Sequence, residues 1–452
     1  MSMCANSDKP IELRNGLILC FPGISDPVPH SRTLISGGSI VEINSFQYPN
    51  YPDTEVIDCS NCLIMPGLVN CHVHAAMSLF RGLADDVPLK SWLEQFIFPS
   101  EARHVSPGMV RLGTTLSAVE MALSGITTFA DAYFFMEESA LATLDVGLRA
   151  VIAQGILDAP TPDTRIKSSW KERVTEFLES VPVNPRITPA LFCHSPYLCG
   201  SDTFRSAFEI SQFHGLKLFS HVAETKLEID EIHKLYGITP IEWLYSLGVL
   251  GDNFVLVHGV HLSDRDCRVI MDSSSRLIHC PESNMKLASG AARIQYLLEM
   301  GVKIGLGTDS PASNNNLDFF EEMRSASFLS KLSSGNPEAL TARQSLYMAT
   351  TQGARILGLE DTIGSLVPGK QADIIVVDLD QPHLTPLYDP VSQMVYCAKA
   401  SDVRDVFVSG RVVVRNRKIC TVSYEDVRES VNELAARICA HTGKRLFRGV
   451  VV

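Results

Sequence analysis

The chain has 452 residues, 45% hydrophobic and 20% charged, with a formal net charge of −12. That length suits one large α/β barrel with a smaller domain beside it. The negative charge argues against nucleic acid or an anionic membrane surface as partner, because self-repulsion opposes the encounter. The first residues lack the basic-then-apolar pattern of a secretory leader, and no run of about 18 apolar residues predicts a membrane span.

Residues 1–64 read as short strands with turns: Ile11–Cys20, a Gly37-Gly38 turn, Ser39–Ile43, and Val56–Cys59 just before Met65-Pro66-Gly67. From Pro66 onward apolar strand, polar loop and amphipathic helix alternate. Eight strands are predicted: Gly67–Cys71, Ile126–Asp131, Ala150–Ile156, Ile187–Phe192, Lys217–His221, Phe254–Val257, Leu277–His279 and Lys303–Gly307. Helices between them are expected at Pro107–Leu123, Trp170–Glu179, Glu228–Tyr236 and Ala291–Met300. Continuous apolar strands alternating with helices are the pattern of a parallel sheet covered by helices. Eight such units over residues 65–365 predict a (β/α)8 barrel.

Helices follow at Asp318–Ser330 and Thr341–Leu357, then short strands at Gly364–Ile375 and Val403–Val414, then an amphipathic helix at Tyr424–Cys439. The fold class is therefore α/β, the barrel carrying a small composite β-domain built from residues 1–64 and 366–452. The 12 cysteines are scattered, which predicts thiols in a reducing cytoplasm rather than a disulfide framework. Cys59-Ser-Asn-Cys62 is a lone CxxC without the second pair that a zinc or redox reading needs.

Chemistry in such a barrel sits at the C-terminal ends of its strands. The first strand ends in His72-Val-His74, two imidazoles that strand periodicity puts on one side. The fifth ends in His221, the sixth in His258 and the eighth in Asp309. Imidazoles with a carboxylate suit a borderline cation such as zinc, which in catalytic sites keeps a position open for water. In His221-Val-Ala-Glu224 the glutamate is one short turn beyond a histidine. It can take a proton from that water and deliver it to a ring nitrogen; alone it would read as a helix N-terminal acid favoured by the dipole. Ser283 and Asn284 are candidates for the barrel mouth.

These motifs carry a resemblance. Cys62-Leu-Ile-Met-Pro-Gly-Leu-Val-Asn-Cys-His72-Val-His74, His221-Val-Ala-Glu224, Val257-His258-Gly-Val-His261, His279-Cys-Pro-Glu-Ser-Asn284, Gly307-Thr-Asp309-Ser310 and Pro368-Gly-Lys-Gln-Ala-Asp373 look like the amidohydrolase superfamily. They occur in the same order and span nearly the whole chain. Met77-Ser-Leu-Phe-Arg81-Gly-Leu-Ala-Asp85-Asp86, with Trp92-Leu93 and Pro99-Ser-Glu101, is similar to the 5′-methylthioadenosine/S-adenosylhomocysteine deaminases.

The resemblance implies hydrolytic deamination of adenine nucleosides such as 5′-methylthioadenosine, adenosine or S-adenosylhomocysteine. It makes His72, His74, His221 and Asp309 the ligands of one divalent metal, zinc before iron or manganese. His258 would orient the activated water, Glu224 would shuttle a proton to the ring, and Asp309 would help deprotonate the water. Glu101 matches a ribose-binding position and His194 a base-contacting one; Trp92 is a candidate for apolar contact on the 5′ side. Dinuclear members use a lysine on the fourth strand, and Ile187–His194 has none, so one metal is expected.

One departure concerns arginines that in the resembling group can hold an amino-acid carboxylate. Gln154 stands at the first such position and Arg165 is aligned with the second. A neutral amide cannot form the charge-assisted pair, which favours uncharged 5′ groups. The partner expected is a small nucleoside, without nucleic acid or membrane, in a cytoplasmic homo-oligomer (dimer or tetramer). The alternatives are a hydrolase of a guanine-, triazine- or pterin-type heterocycle with the same metal site, and a metal-free structural member, which would have lost ligands that this chain keeps.

Overall fold

A computed structural model of the protein describes residues 9–44, 53–164 and 170–442. Its centre is a sheet of eight parallel strands: β6 Leu68–Val73, β7 Ile126–Tyr133, β8 Arg149–Ile156, β9 Ile187–Cys193, β10 Leu218–Val222, β11 Phe254–His258, β12 Arg276–His279 and β13 Ile304–Leu306. Neighbours in chain order are neighbours in space, and helices cover the outer face. First and last strands meet through side chains and one backbone bond. Asn70 Nδ2 donates to Thr308 Oγ1 at 2.8 Å, Thr308 N–H donates to Asn70 Oδ1 at 3.1 Å, and Asp309 N–H donates to the His72 carbonyl at 3.0 Å.

The interior of the barrel is filled, not hollow. Val69, Cys71, Ala130, Ala132, Val151, Ala153, Ala190, Phe192, Phe219, Val255, Val257 and Ile278 form one buried cluster, with Ala354, Ile356 and Leu357 packed against it. Alanines on β7, β8 and β9 leave the room that Phe192 and Phe219 take up, as small and large residues alternate in a tapering barrel. The filled interior leaves the C-terminal mouth as the place where polar side chains can converge.

A second sheet combines both ends of the chain: β1 Ile11–Ile18, β2 Val28–Ser36, β3 Ser39–Ile43, β4 Glu55–Asp58 and β5 Cys62–Pro66 with β14 Ile374–Asp378, β15 Val403–Val408, β16 Arg411–Arg415 and β17 Lys418–Ile419. The ends meet where β5 pairs antiparallel with β14, from Ile374 opposite Pro66 to Asp378 opposite Cys62. Because β5 runs through Gly67 directly into β6, this sheet anchors the strand that carries His72 and His74.

The structure departs from the predicted elements at four places. The strand β2 went unread because Pro27, Pro29 and His30 interrupt its apolar pattern. Gly364–Gln371 is turn and loop, and only Ile374–Asp378 is strand, since Gly364 and Gly369 take positive φ. Thr341–Leu357 is two helices, Ala342–Met348 and Thr351–Leu357, broken where Ala349 gives its carbonyl to Val69 N–H at 2.8 Å. The segment after His74 is mostly helical, with a π-helical turn at Leu93–Ile97 leading into Phe98–His104. Among the described residues ten cysteines are free thiols. No helix among the described residues is long and apolar enough to cross a membrane.

Candidate functional site

Strand periodicity would alternate inward and outward along β6, and the strand does so only as far as Cys71. Val69 and Cys71 join the barrel interior, whereas Val73 packs in the outer core. The register against β7 slips between Asn70 and Val73. That irregularity turns His72 and His74 into the mouth, as bulges next to active sites re-aim side chains. Gly307, just past the end of β13, makes room: a Cβ there would lie 2.9 Å from His72 Cβ.

Four donor atoms converge at this mouth. His221 Nε2 lies 3.3 Å from both His72 Nε2 and His74 Nε2, and Asp309 Oδ1 lies 3.3 Å from His72 Nε2 and 3.5 Å from His74 Nε2. All four lie within 4.8 Å of one another. Donors about 2.0–2.2 Å from one ion stand about 3.3–3.5 Å apart at tetrahedral edges, so these residues fit one divalent cation.

The tautomers fit as well. His74 Nδ1–H donates to the Ala132 carbonyl at 2.5 Å and His221 Nδ1–H to the His194 carbonyl at 2.9 Å, which leaves both Nε2 lone pairs free. Burial holds His72 down to about 4 and His221 well below the ordinary imidazole range, so both are neutral. Burial opposes the charge on Asp309, but the His72 hydrogen bond and the surrounding imidazoles hold its carboxyl well below the ordinary range. Ser283 and Ser313 hydroxyls donate to Asp309 Oδ2 at 2.6 and 2.8 Å, which leaves Oδ1 facing the histidines.

Two acid–base groups face this cluster. His258 donates from Nδ1 to Asn284 Oδ1 at 3.0 Å, and its Nε2 stands 3.8 Å from Glu224 Oε2. Burial raises the Glu224 carboxyl, and the backbone N–H groups of Ala223 and Glu224 donate to the buried Glu228 at 2.8 and 2.9 Å. Glu228 thereby holds the turn that aims Glu224. Asp131, at the end of β7, accepts from Ala75 N–H at 2.8 Å and from Ser139 Oγ at 2.5 Å, fixing the turn after His74.

Above these groups lies a cavity of about 530 Å3. His74, His221, Glu224, His258 and Asp309 line its floor, and Glu101, His194 and Trp92 line its walls with Leu89, Leu93, Phe98, Tyr133, Leu157, Pro160 and Tyr197. Burial pushes Glu101 up to about 7 against the hydrogen bond it accepts from Tyr133. Gln154 is not brought in: it is buried, and its amide Nε2 donates to Asp163 Oδ2 at 2.9 Å and to the Gly155 carbonyl at 3.1 Å. Arg165 lies outside the described residues. Phe80 packs in the core and does not line the cavity.

The roles of Ser283, Asn284, Ser313, Glu228, Asp131 and Tyr133 were not read from sequence. The mouth position after strand seven pointed only to Ser283 and Asn284, without saying what either would touch.

With this fold and this cluster, the chain belongs to the amidohydrolase family, whose model matches residues 63–413. It is 39% identical over 428 residues to a 5-methylthioadenosine/S-adenosylhomocysteine deaminase of Syntrophobacter fumaroxidans, covering 94% of this chain and 98% of that protein. It is 38% identical to a 5′-deoxyadenosine deaminase of Methanothermobacter thermautotrophicus, over 93% and 98% of the two chains. The structure of an adenosine deaminase from Xanthomonas campestris with bound zinc superposes with a TM-score of 0.91 at 32% identity, covering 95% of this chain and 98% of that one.

Proposed function

We propose that the protein is a metal-dependent aminohydrolase that deaminates adenine nucleosides to the inosine-type product and ammonia. The observation that carries the reading is a single cavity with the four-donor cluster at its floor, Glu224 and His258 beside it, and Glu101 on its wall. Deaminase names among relatives 36–41% identical over most of the chain support it.

His72, His74, His221 and Asp309 would hold one divalent cation, zinc first, with iron or manganese accepted by the same N/O set. When bound, such a cation lowers the pKa of a water from about 16 toward about 7 and so supplies the nucleophile for ring carbon C6. The chain's residues handle the protons. Glu224, kept protonatable by burial, gives its proton to ring N1 as oxygen adds to C6. His258 keeps Nε2 as an acceptor because its Nδ1–H is committed to Asn284, and so orients the attacking water. The carboxylate formed at Glu224 then takes the second proton of the water, now on the oxygen bound to C6, and passes it to the departing amine, with Asp309 helping to deprotonate that oxygen. His194 faces the base, Glu101 the ribose hydroxyls, and Trp92 the 5′ group.

The preferred nucleosides are those with an uncharged 5′ group, such as 5′-methylthioadenosine, 5′-deoxyadenosine or adenosine. Among the described residues lining the cavity there is no lysine or arginine, and Arg173 nearby is paired with Glu137 and Asp163. In this reading the protein is cytoplasmic. The protein acts as a homo-oligomer, a dimer or tetramer, in this reading.

The test is a spectrophotometric deamination screen on metal-analysed protein. Uncharged adenosine derivatives are expected to turn over, with S-adenosylhomocysteine at least about tenfold poorer for want of a charge-assisted partner. Equal turnover of S-adenosylhomocysteine would overturn the 5′ preference alone. Activity confined to guanine or a triazine would overturn the nucleoside reading.

A further inference from the structure

Glu101 is a carboxyl in an apolar wall, and the structure gives it one neighbour of consequence. Tyr133, at the end of β7, donates its phenol hydroxyl to Glu101 Oε1 at 2.7 Å. Glu101 stands on the helix Phe98–His104, so the bond joins the segment after the first barrel strand to the tip of the second. Both residues are buried and both line the cavity. Among the described residues this is the one side-chain hydrogen bond that Glu101 makes, and no lysine or arginine forms an ion pair with it.

We infer that Tyr133 is a positioning residue for the ribose: its hydroxyl occupies Glu101 Oε1 and turns Oε2 toward the sugar hydroxyls. The inference rests on the adenine-nucleoside reading. A ribose diol offers two donors, and a carboxylate accepts both only when it is ionised and correctly turned. A buried carboxylate without a cation needs a hydrogen bond to keep its charged form. Tyr133 supplies that bond from a barrel strand, a more rigid support than the short helix that carries Glu101. Its ring also packs 4.9 Å from that of Phe134, a contact that phenylalanine would keep.

The experiment compares adenosine with 2′,3′-dideoxyadenosine on the metal-loaded wild type, Tyr133→Phe, Glu101→Gln and the double variant, each checked for folding by circular dichroism. In Tyr133→Phe the kcat/KM for adenosine is expected to fall about tenfold, mostly through KM, as for one lost hydrogen bond to a charged group. The value for the dideoxy substrate should stay within about twofold, and adding Tyr133→Phe to Glu101→Gln should cost nothing further, as for two residues acting through one contact. An equal loss on both substrates, or the same loss in the Glu101→Gln background, would show a merely structural tyrosine and overturn the inference. So would an unchanged adenosine rate. A wild type inactive on every adenine nucleoside would instead overturn the function on which the inference rests, and the inference with it.

Discussion

Ala223, His258 and Asp309 all sit at strand ends with positive φ, 55°, 77° and 60°. None is glycine, so each holds a conformation that costs about 1–3 kcal/mol unless its surroundings impose it. The surroundings do: Ala223 N–H is tied to Glu228, His258 to Asn284, and Asp309 N–H to the His72 carbonyl. Strain at three strand ends thus aims Glu224, His258 and Asp309 at one point. Glu224 is the residue on which the proton relay depends, and it lies outside the four-donor cluster. Glu224→Gln should therefore lower kcat by about 10²–10⁴-fold while metal content stays near one per chain. Loss of metal together with activity would assign Glu224 to the metal instead. The residue types at this site were legible because strand ends in a barrel have one destination. Their partners were not, because Asn284, Glu228 and Tyr133 are ordinary polar residues until folding supplies the neighbour.

Between elements, a buried ion pair links the barrel to the composite sheet. Arg149, at the start of β8, donates through Nε and Nη2 to Asp373 at 2.9 and 3.2 Å, and both side chains are 2% exposed. Asp373 also accepts Ser409 N–H at 2.7 Å, and Arg149 reaches the Pro185 carbonyl at 2.9 Å. This gives a physical reason for the aspartate of Pro368-Gly-Lys-Gln-Ala-Asp373: it neutralises a charge buried beneath the barrel. Asp373→Asn leaves that guanidinium unpaired and should cost about 3–5 kcal/mol, read as a lower midpoint in urea unfolding. An unchanged midpoint would mean that Arg149 finds water or another acceptor. The element order was legible from alternating apolar runs. The helices at 89–104 were not, since their apolar residues are divided between the cavity and the core and a π turn breaks the helical period.

For the molecule as a whole, the four donors come from β6, β10 and the turn after β13, so one ion ties both edges of the barrel sheet to its middle. Stripping the metal should abolish deamination and lower the melting temperature, and zinc should restore both. At metal concentrations a thousand times Kd the stabilisation would be about 4 kcal/mol. A melting temperature indifferent to chelator would place the ion's binding outside this cluster. By itself the sequence determined the barrel, the composite sheet and the ligand-type residues, because strand periodicity and strand-end placement are local rules. Only the tertiary structure decided that His72 and His74 turn inward at a slip in register, that two serines divide the oxygens of Asp309, and that Gln154 serves Asp163 rather than the cavity. Those outcomes depend on contacts between residues far apart in the chain, and burial, not sequence spacing, sets which polar group finds which partner.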